Sequence, residues 1–164
     1  MDDKVGSALH TGLLITTTAV LAWLSGLSML FPSLGPTAFV LALFERGDAT
    51  SPRRVVGGHI IGVLAGLVAY HLLASGIAMT AAMEAGSVEG LRLAASGVLA
   101  TTLTAGGMLA TDTRHPPACA TTLIVSLGLL TTVLEGALIV LAVIILVGSH
   151  RLLLATERWG ARRV

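Results

Sequence analysis

Apolar positions in this chain form long unbroken runs, with neither the alternation of a strand nor the one-sided stripe of a soluble helix. Residues 12–31 carry no charge, and at about 1.5 Å per residue they are long enough to cross a bilayer core. The segment Pro32-Ser33-Leu34-Gly35-Pro36-Thr37 breaks that run, and a short apolar stretch follows to Phe44. Roughly 11 residues cannot cross where about 20 are normally required, so this stretch predicts a half-helix. A polar loop, 45–54, leads to a full-length span over 55–79. Gly58, Gly62 and Gly66 lie four apart in it, a smooth stripe on one face that admits a close neighbour. A small acidic linker with Glu84 and Glu89 precedes a span over 93–110. Then Thr113-Arg114-His115-Pro116-Pro117-Ala118-Cys119-Ala120 opens a run to about Val133, and a last span covers 136–154. Proline suits the first turn of a helix and pushes the residue before it out of helical angles. Helix is therefore expected to start abruptly near Pro117, with Arg114 and His115 as an extended lead-in.

The order long span, proline-broken short segment, long span occurs twice, with Pro36 and Pro117 lying 81 residues apart. Few residues match at that offset, so the repeat rests on pattern alone. The expected fold is an all-α membrane protein, a bundle of four long transmembrane helices plus two short proline-initiated ones. It forms one transmembrane domain over 1–164, with half-repeats at approximately 11–79 and 92–160 in an inverted two-fold arrangement, as in many transporters.

Composition agrees: 54% of residues are hydrophobic and 12% charged, where a soluble domain carries about a quarter charged, and the mean hydropathy is +0.89. The net charge of +1 says little; the placement of charge says more. Were both proline segments re-entrant, Arg46, Arg53, Arg54 and Arg114 would lie opposite Lys4 and the C-terminal tail. Were all six segments to cross, nine of the ten basic residues would share one side, leaving Arg92 opposite. The positive-inside rule favours the second arrangement, with both termini cytoplasmic in a multi-pass protein of the cell (inner) membrane and Trp159 as an interfacial anchor. The N-terminal Met1-Asp2-Asp3-Lys4 is acidic for a signal peptide, so the first run reads as a retained span. One cysteine, Cys119, excludes an intrachain disulfide and a cysteine metal cluster.

Three motifs in order, SLGPTAF (33–39), SPRRVVGGHIIG (51–62) and RHPPACATTLI (114–124), make the chain resemble the HPP family of small integral membrane proteins. The resemblance covers roughly residues 10–150. Members are usually described as four-span proteins, from which the six-segment reading departs, and Cys119 stands where the family pattern more often has glycine. The resemblance implies nitrite transport, since plastid and cyanobacterial members carry nitrite.

An anion in hydrocarbon needs dipoles or charges in place of its water, and helix N-termini supply both. Two short helices starting near Pro36 and Pro117 and entering from opposite sides would aim their tips at one midplane site. Ser33, Gly35, Pro36 and Thr37 build the first tip, and Thr113, His115, Pro116, Pro117, Ala118 and Thr121 the second. His115 is the first candidate, as anion donor or as proton carrier in a proton-coupled cycle, against the reading that it bonds backbone freed by the prolines. His59 is either a substrate ligand or a polar contact across the glycine face. His71 reads as structural, His10 and His150 as interfacial. Arg53, Arg54 and Arg114 are candidates for anion recruitment, with loop retention in the cytoplasm as the competing role. The threonines at 16–18, 101–104 and 121–122 either line a polar path or bond their own preceding turn.

No cofactor, metal or nucleic acid is expected; the partners are a small anion, membrane lipid and a second copy in a homodimer. The carboxylates fall at segment ends and no HExxH spacing occurs, which argues against an enzyme. The alternative to transport is a membrane scaffold or regulatory subunit. Nitrite, nitrate, formate and bicarbonate are too alike in size and charge for sequence to separate them.

Overall fold

The computed structural model of the chain describes residues 3–161 apart from 28, 45 and 46, and side chains from 4 to 156. The roles expected of Arg46, Arg158, Trp159, Arg162 and Arg163 fall outside what it describes. Six α-helices run in order: α1 Asp3–Ser25, α2 Leu34–Phe44, α3 Pro52–Ala69, α4 Val88–Thr111, α5 Ala118–Ser126 and α6 Val133–Ala161. Four of them are long and apolar enough to cross a membrane. The other two, at 11 and 9 residues, reach only about 17 and 14 Å, about half of a ~30 Å core. Four long helices and two short ones set off by proline are what the hydrophobic pattern predicted.

The boundaries differ where glycine or a capping side chain overrides hydropathy. α1 begins well before residue 12 and ends at Ser25, because Gly26 turns left-handed at φ 68°. α3 starts at Pro52, not 55: the Ser51 hydroxyl accepts from the Arg54 amide and Pro52 takes the first position. Its last turn widens to π spacing over Tyr70–Ala74, and Gly76 at φ 81° ends it before residue 79. Ser87 caps α4 five residues before the expected start, and Asp112 closes it in the left-handed region. α5 stops at Ser126, far short of Val133, where Gly128 turns at φ 79° beneath the Ile77 carbonyl. Thr132 and Glu135 then form a reciprocal capping pair that begins α6 ahead of residue 136.

α3 is the hub: half of its apolar window is buried, against 11% for α1. The glycine stripe is why. An added Cβ at Gly62 would lie 2.9 Å from both the Ala118 carbonyl oxygen and the Thr122 hydroxyl, and one at Gly66 would lie 2.7 Å from the Val125 Cβ. At Gly58 it would meet the His115 Cβ at 3.0 Å. These contacts run in the same order along both helices, so α5 lies parallel to α3. Because α5 occupies it, the stripe serves packing inside the chain rather than a dimer.

α4 runs antiparallel to α3, with Arg53 donating to the Thr111 carbonyl at one end and Arg92 to the Leu73 carbonyl at the other. α6 is antiparallel too: His71 meets the Thr131 carbonyl at its start, and His150 meets His10 of α1 near its finish. The start of α1 and the far part of α6 therefore share one end of the bundle, the end that also holds Arg53, Arg54, Asp112 and Arg114. α2 returns to this charged end, since Thr37 sits beside His59 and the short 3₁₀ turn Asp48–Thr50 joins it to α3. The two short helices thus point in opposite directions, and their lead-ins enter from opposite ends. His10 and His150 contact one another at 3.2 Å towards this end, with His150 buried.

Replacing Gly62 by valine forces α3 and α5 apart, and a loss of about 1–3 kcal/mol is expected from overpacking. Thermal unfolding of the detergent-solubilised protein measures it. Gly12→Ala, where an added Cβ meets nothing within 4 Å, is expected to leave the transition unchanged.

Candidate functional site

Where α2 and α5 begin, their first turns meet one face of α3. Thr37 lies in the first turn of α2 and His59 seven residues into α3. His115 belongs to the lead-in of α5, and Thr121 to its first turn. All four are buried, the two rings at 0% and 1% exposure. His59 Nε2 is 3.0 Å from Thr37 Oγ1, and His115 Nε2 is 3.3 Å from the same oxygen. Thr37 donates its hydroxyl hydrogen to the Ser33 carbonyl at 2.9 Å. On its other side His59 Nδ1 lies 2.7 Å from Thr121 Oγ1. The two rings stand 5.3 Å apart at 50°. One hydroxyl thereby joins three segments distant in sequence.

Sequence position explains each placement. Gly58 lets the His115 Cβ and the Thr113 carbonyl press against α3, and Gly62, one turn on, admits the first turn of α5. The prolines end the lead-in and hold His115 beside His59. Along α3 the site lies about 10 Å from Pro52 at ~1.5 Å per residue, in a 23-residue segment. That is about a third of the way in from the charged end, not the middle.

Thr37, His59, His115 and Thr121 meet through their side chains and Ser33 joins them through its carbonyl, with buried Pro117 and Ala118 behind. Thr113 is buried but turns to Thr111, their hydroxyls 2.7 Å apart. Pro36 and Pro116 are exposed, and Gly35 is half-buried; they shape the helix starts without lining the site. The α5 tip is not the cradle of open amides that was expected. Ala118, Cys119 and Ala120 donate to the carbonyls of His115, Pro116 and Pro117 in a tight first turn, so side chains carry the polarity here. Ser33 Oγ, fully buried, has no hydrogen-bond partner.

A second polar strip follows α5 away from the site: Thr122 and Thr104 hydroxyls lie 2.8 Å apart, and Ser96 donates to the Ser126 carbonyl. Clustered threonines signalled the first pair; nothing in the pattern pointed to the serines. Thr16, Thr17, Thr18 and Thr102 bond carbonyls of their own preceding turn.

The three candidate recruiting arginines are tied down. Asp112 accepts from Arg54 at 3.0 Å and Arg114 at 2.8 Å, and Arg54 also reaches Asp48 at 3.3 Å. Arg53 and Arg54 stand at the unfavourable N-terminal end of α3, and the C-terminal carbonyls of α4 beside them offset that. No group of three or more histidine, cysteine or acidic side chains among the described residues could hold a metal.

A family model described as "HPP, transmembrane region" matches residues 2–157. No curated protein and no solved structure matches the chain.

Hydrogen bonds from Arg54, then Arg114, hold the Asp112 carboxyl below its usual range. A depressed carboxylate stabilises the fold above its ordinary value, 3.8, and loses that contribution as pH falls through the depressed one. Asp112→Asn is expected to melt below wild type at neutral pH and to converge with it in strong acid, which a pH series of melting temperatures reads directly.

Proposed function

This chain belongs to the HPP family of integral membrane proteins, and from that premise we propose that it carries nitrite or a similar small monovalent anion across the membrane. The observation that supports this reading is the buried junction of Thr37, His59, His115 and Thr121, closed by the Ser33 carbonyl, where the starts of both short helices meet α3. Ionisable side chains buried among membrane helices, here His59 and His115, are costly and point by default to a functional site.

Magnitudes favour side chains as the ligands. Bringing an ion out of water costs several kcal/mol, and one helix tip returns at most ~2 kcal/mol. Hydrogen bonds to a charged group contribute about 1.5–3 kcal/mol each, so two or three donors from this group suffice. Arg53, Arg54 and Arg114 outnumber Asp48 and Asp112, and the surplus positive charge draws anions to that end. We read the charged end as cytoplasmic and the two halves as inverted repeats, whose short helices open the site to either side in turn.

Nitrite uptake into proteoliposomes tests the reading. The wild-type protein is expected to exceed empty vesicles, and Thr37→Val, which keeps shape but loses the shared oxygen, to fall about tenfold or more. Wild-type uptake no faster than that of empty vesicles contradicts it.

A further inference from the structure

Hydrogens at the site are few, and their count decides what an anion must bring with it. Thr37 has one hydroxyl hydrogen, and the Ser33 carbonyl takes it. Both imidazole contacts to Thr37 Oγ1 are therefore Nε2–H donations. A neutral imidazole carries a single N–H, which leaves Nδ1 of each ring bare. For His59 the gap is filled, since Thr121 donates its hydroxyl to Nδ1 at 2.7 Å. For His115 it is not: Thr37 is its one hydrogen-bond partner among the described residues. The neutral site is thus closed, with every side-chain hydrogen engaged except that of Ser33 Oγ.

Building on the anion-transport reading, we propose that each anion enters with one proton, bound at Nδ1 of His115, so that transport is electroneutral. A proton from solution forms the N–H bond at Nδ1 and makes the ring an imidazolium. Its positive charge cancels that of the anion, and the new N–H joins the Ser33 hydroxyl as a donor. Release reverses both steps, and the proton returns to water on the opposite side. A proton on His59 Nδ1 would only turn the Thr121 hydroxyl from donor to acceptor and leave that N–H spent on Thr121, so His59 holds Thr37 while the new N–H of His115 stays open to the anion.

Few other groups compete for the proton. α3 offers His59, α5 offers Cys119 one turn on, and α2 has no titratable side chain. The charges at the bundle end, Asp48, Arg54, Asp112 and Arg114, are paired with one another, and Arg53 is bonded to a carbonyl.

The test uses the full chain in liposomes with a lumenal pH dye and a potassium–valinomycin voltage clamp. Nitrite and nitrate serve as probes, and empty vesicles correct for nitrous acid crossing unaided. Uptake is expected to rise with external acid, to be indifferent to the clamped potential, and to acidify the lumen by one proton per anion. His115→Gln keeps an amide that can donate to Thr37 but cannot be protonated, and is expected to lose acid-driven uptake by about tenfold or more. The wild-type voltage response decides the matter even if that variant fails to fold. Uptake that follows the potential, ignores the pH gradient and leaves the lumen unchanged overturns the coupling while transport stands. No uptake of either anion above empty vesicles removes the transport reading, and the coupling with it.

Discussion

A single buried hydroxyl, that of Thr37, ties the first turn of α2 to α3 and to the lead-in of α5. It gives its hydrogen to the Ser33 carbonyl and accepts from two imidazoles, which uses its full capacity. Without that oxygen two buried N–H groups lose their partner, and each unsatisfied donor costs about 1–3 kcal/mol. In hydrocarbon no water replaces it. The meeting of the two half-helices therefore rests on a polar contact that the bundle cannot exchange for an apolar one.

What brings the three segments within reach is the absence of side chains. Gly58, Gly62 and Gly66 let α5 lie on α3 with backbone atoms in contact. Gly107 of α4 and Gly136 of α6 make room for the Ile61 and Val63 side chains of α3. Apolar area does not drive helices together in lipid, so such close packing carries the association. At the charged end, Arg53, Arg54 and Arg114 join the start of α3, the end of α4 and the lead-in of α5. That clamp fixes where the lead-in starts and hence where His115 arrives.

Much of this was legible in the sequence, for physical reasons that can be named. Uninterrupted apolar length gave the four long helices, and prolines beside short runs gave the two half-helices. A threonine and a histidine next to those prolines, Thr37 and His115, gave two of the side chains that meet; His59 came from the glycine face and Thr121 from the first turn after Pro117. Hydropathy could not place the helix ends, because Gly26, Gly76 and Gly128 stop helices inside apolar sequence and Ser51 and Ser87 start them in polar sequence. The amide-lined tip expected of α5 is missing because consecutive prolines favour a tight first turn that uses its own amides. Nor could spacing reveal that Ser96 meets Ser126 across 30 residues, since single serines in apolar helices carry no periodic signal.

The pairing of both imidazoles on one threonine oxygen is open to direct observation. Solid-state ¹⁵N spectra of the protein in lipid, labelled at histidine and assigned with His59→Gln and His115→Gln variants, read which nitrogen of each neutral ring carries hydrogen. Hydrogen on Nε2 of both His59 and His115 is the expected result, with a shift at each when Thr37 becomes valine. Hydrogen on Nδ1 of either neutral ring, or no response to Thr37→Val, contradicts the junction on which this account stands.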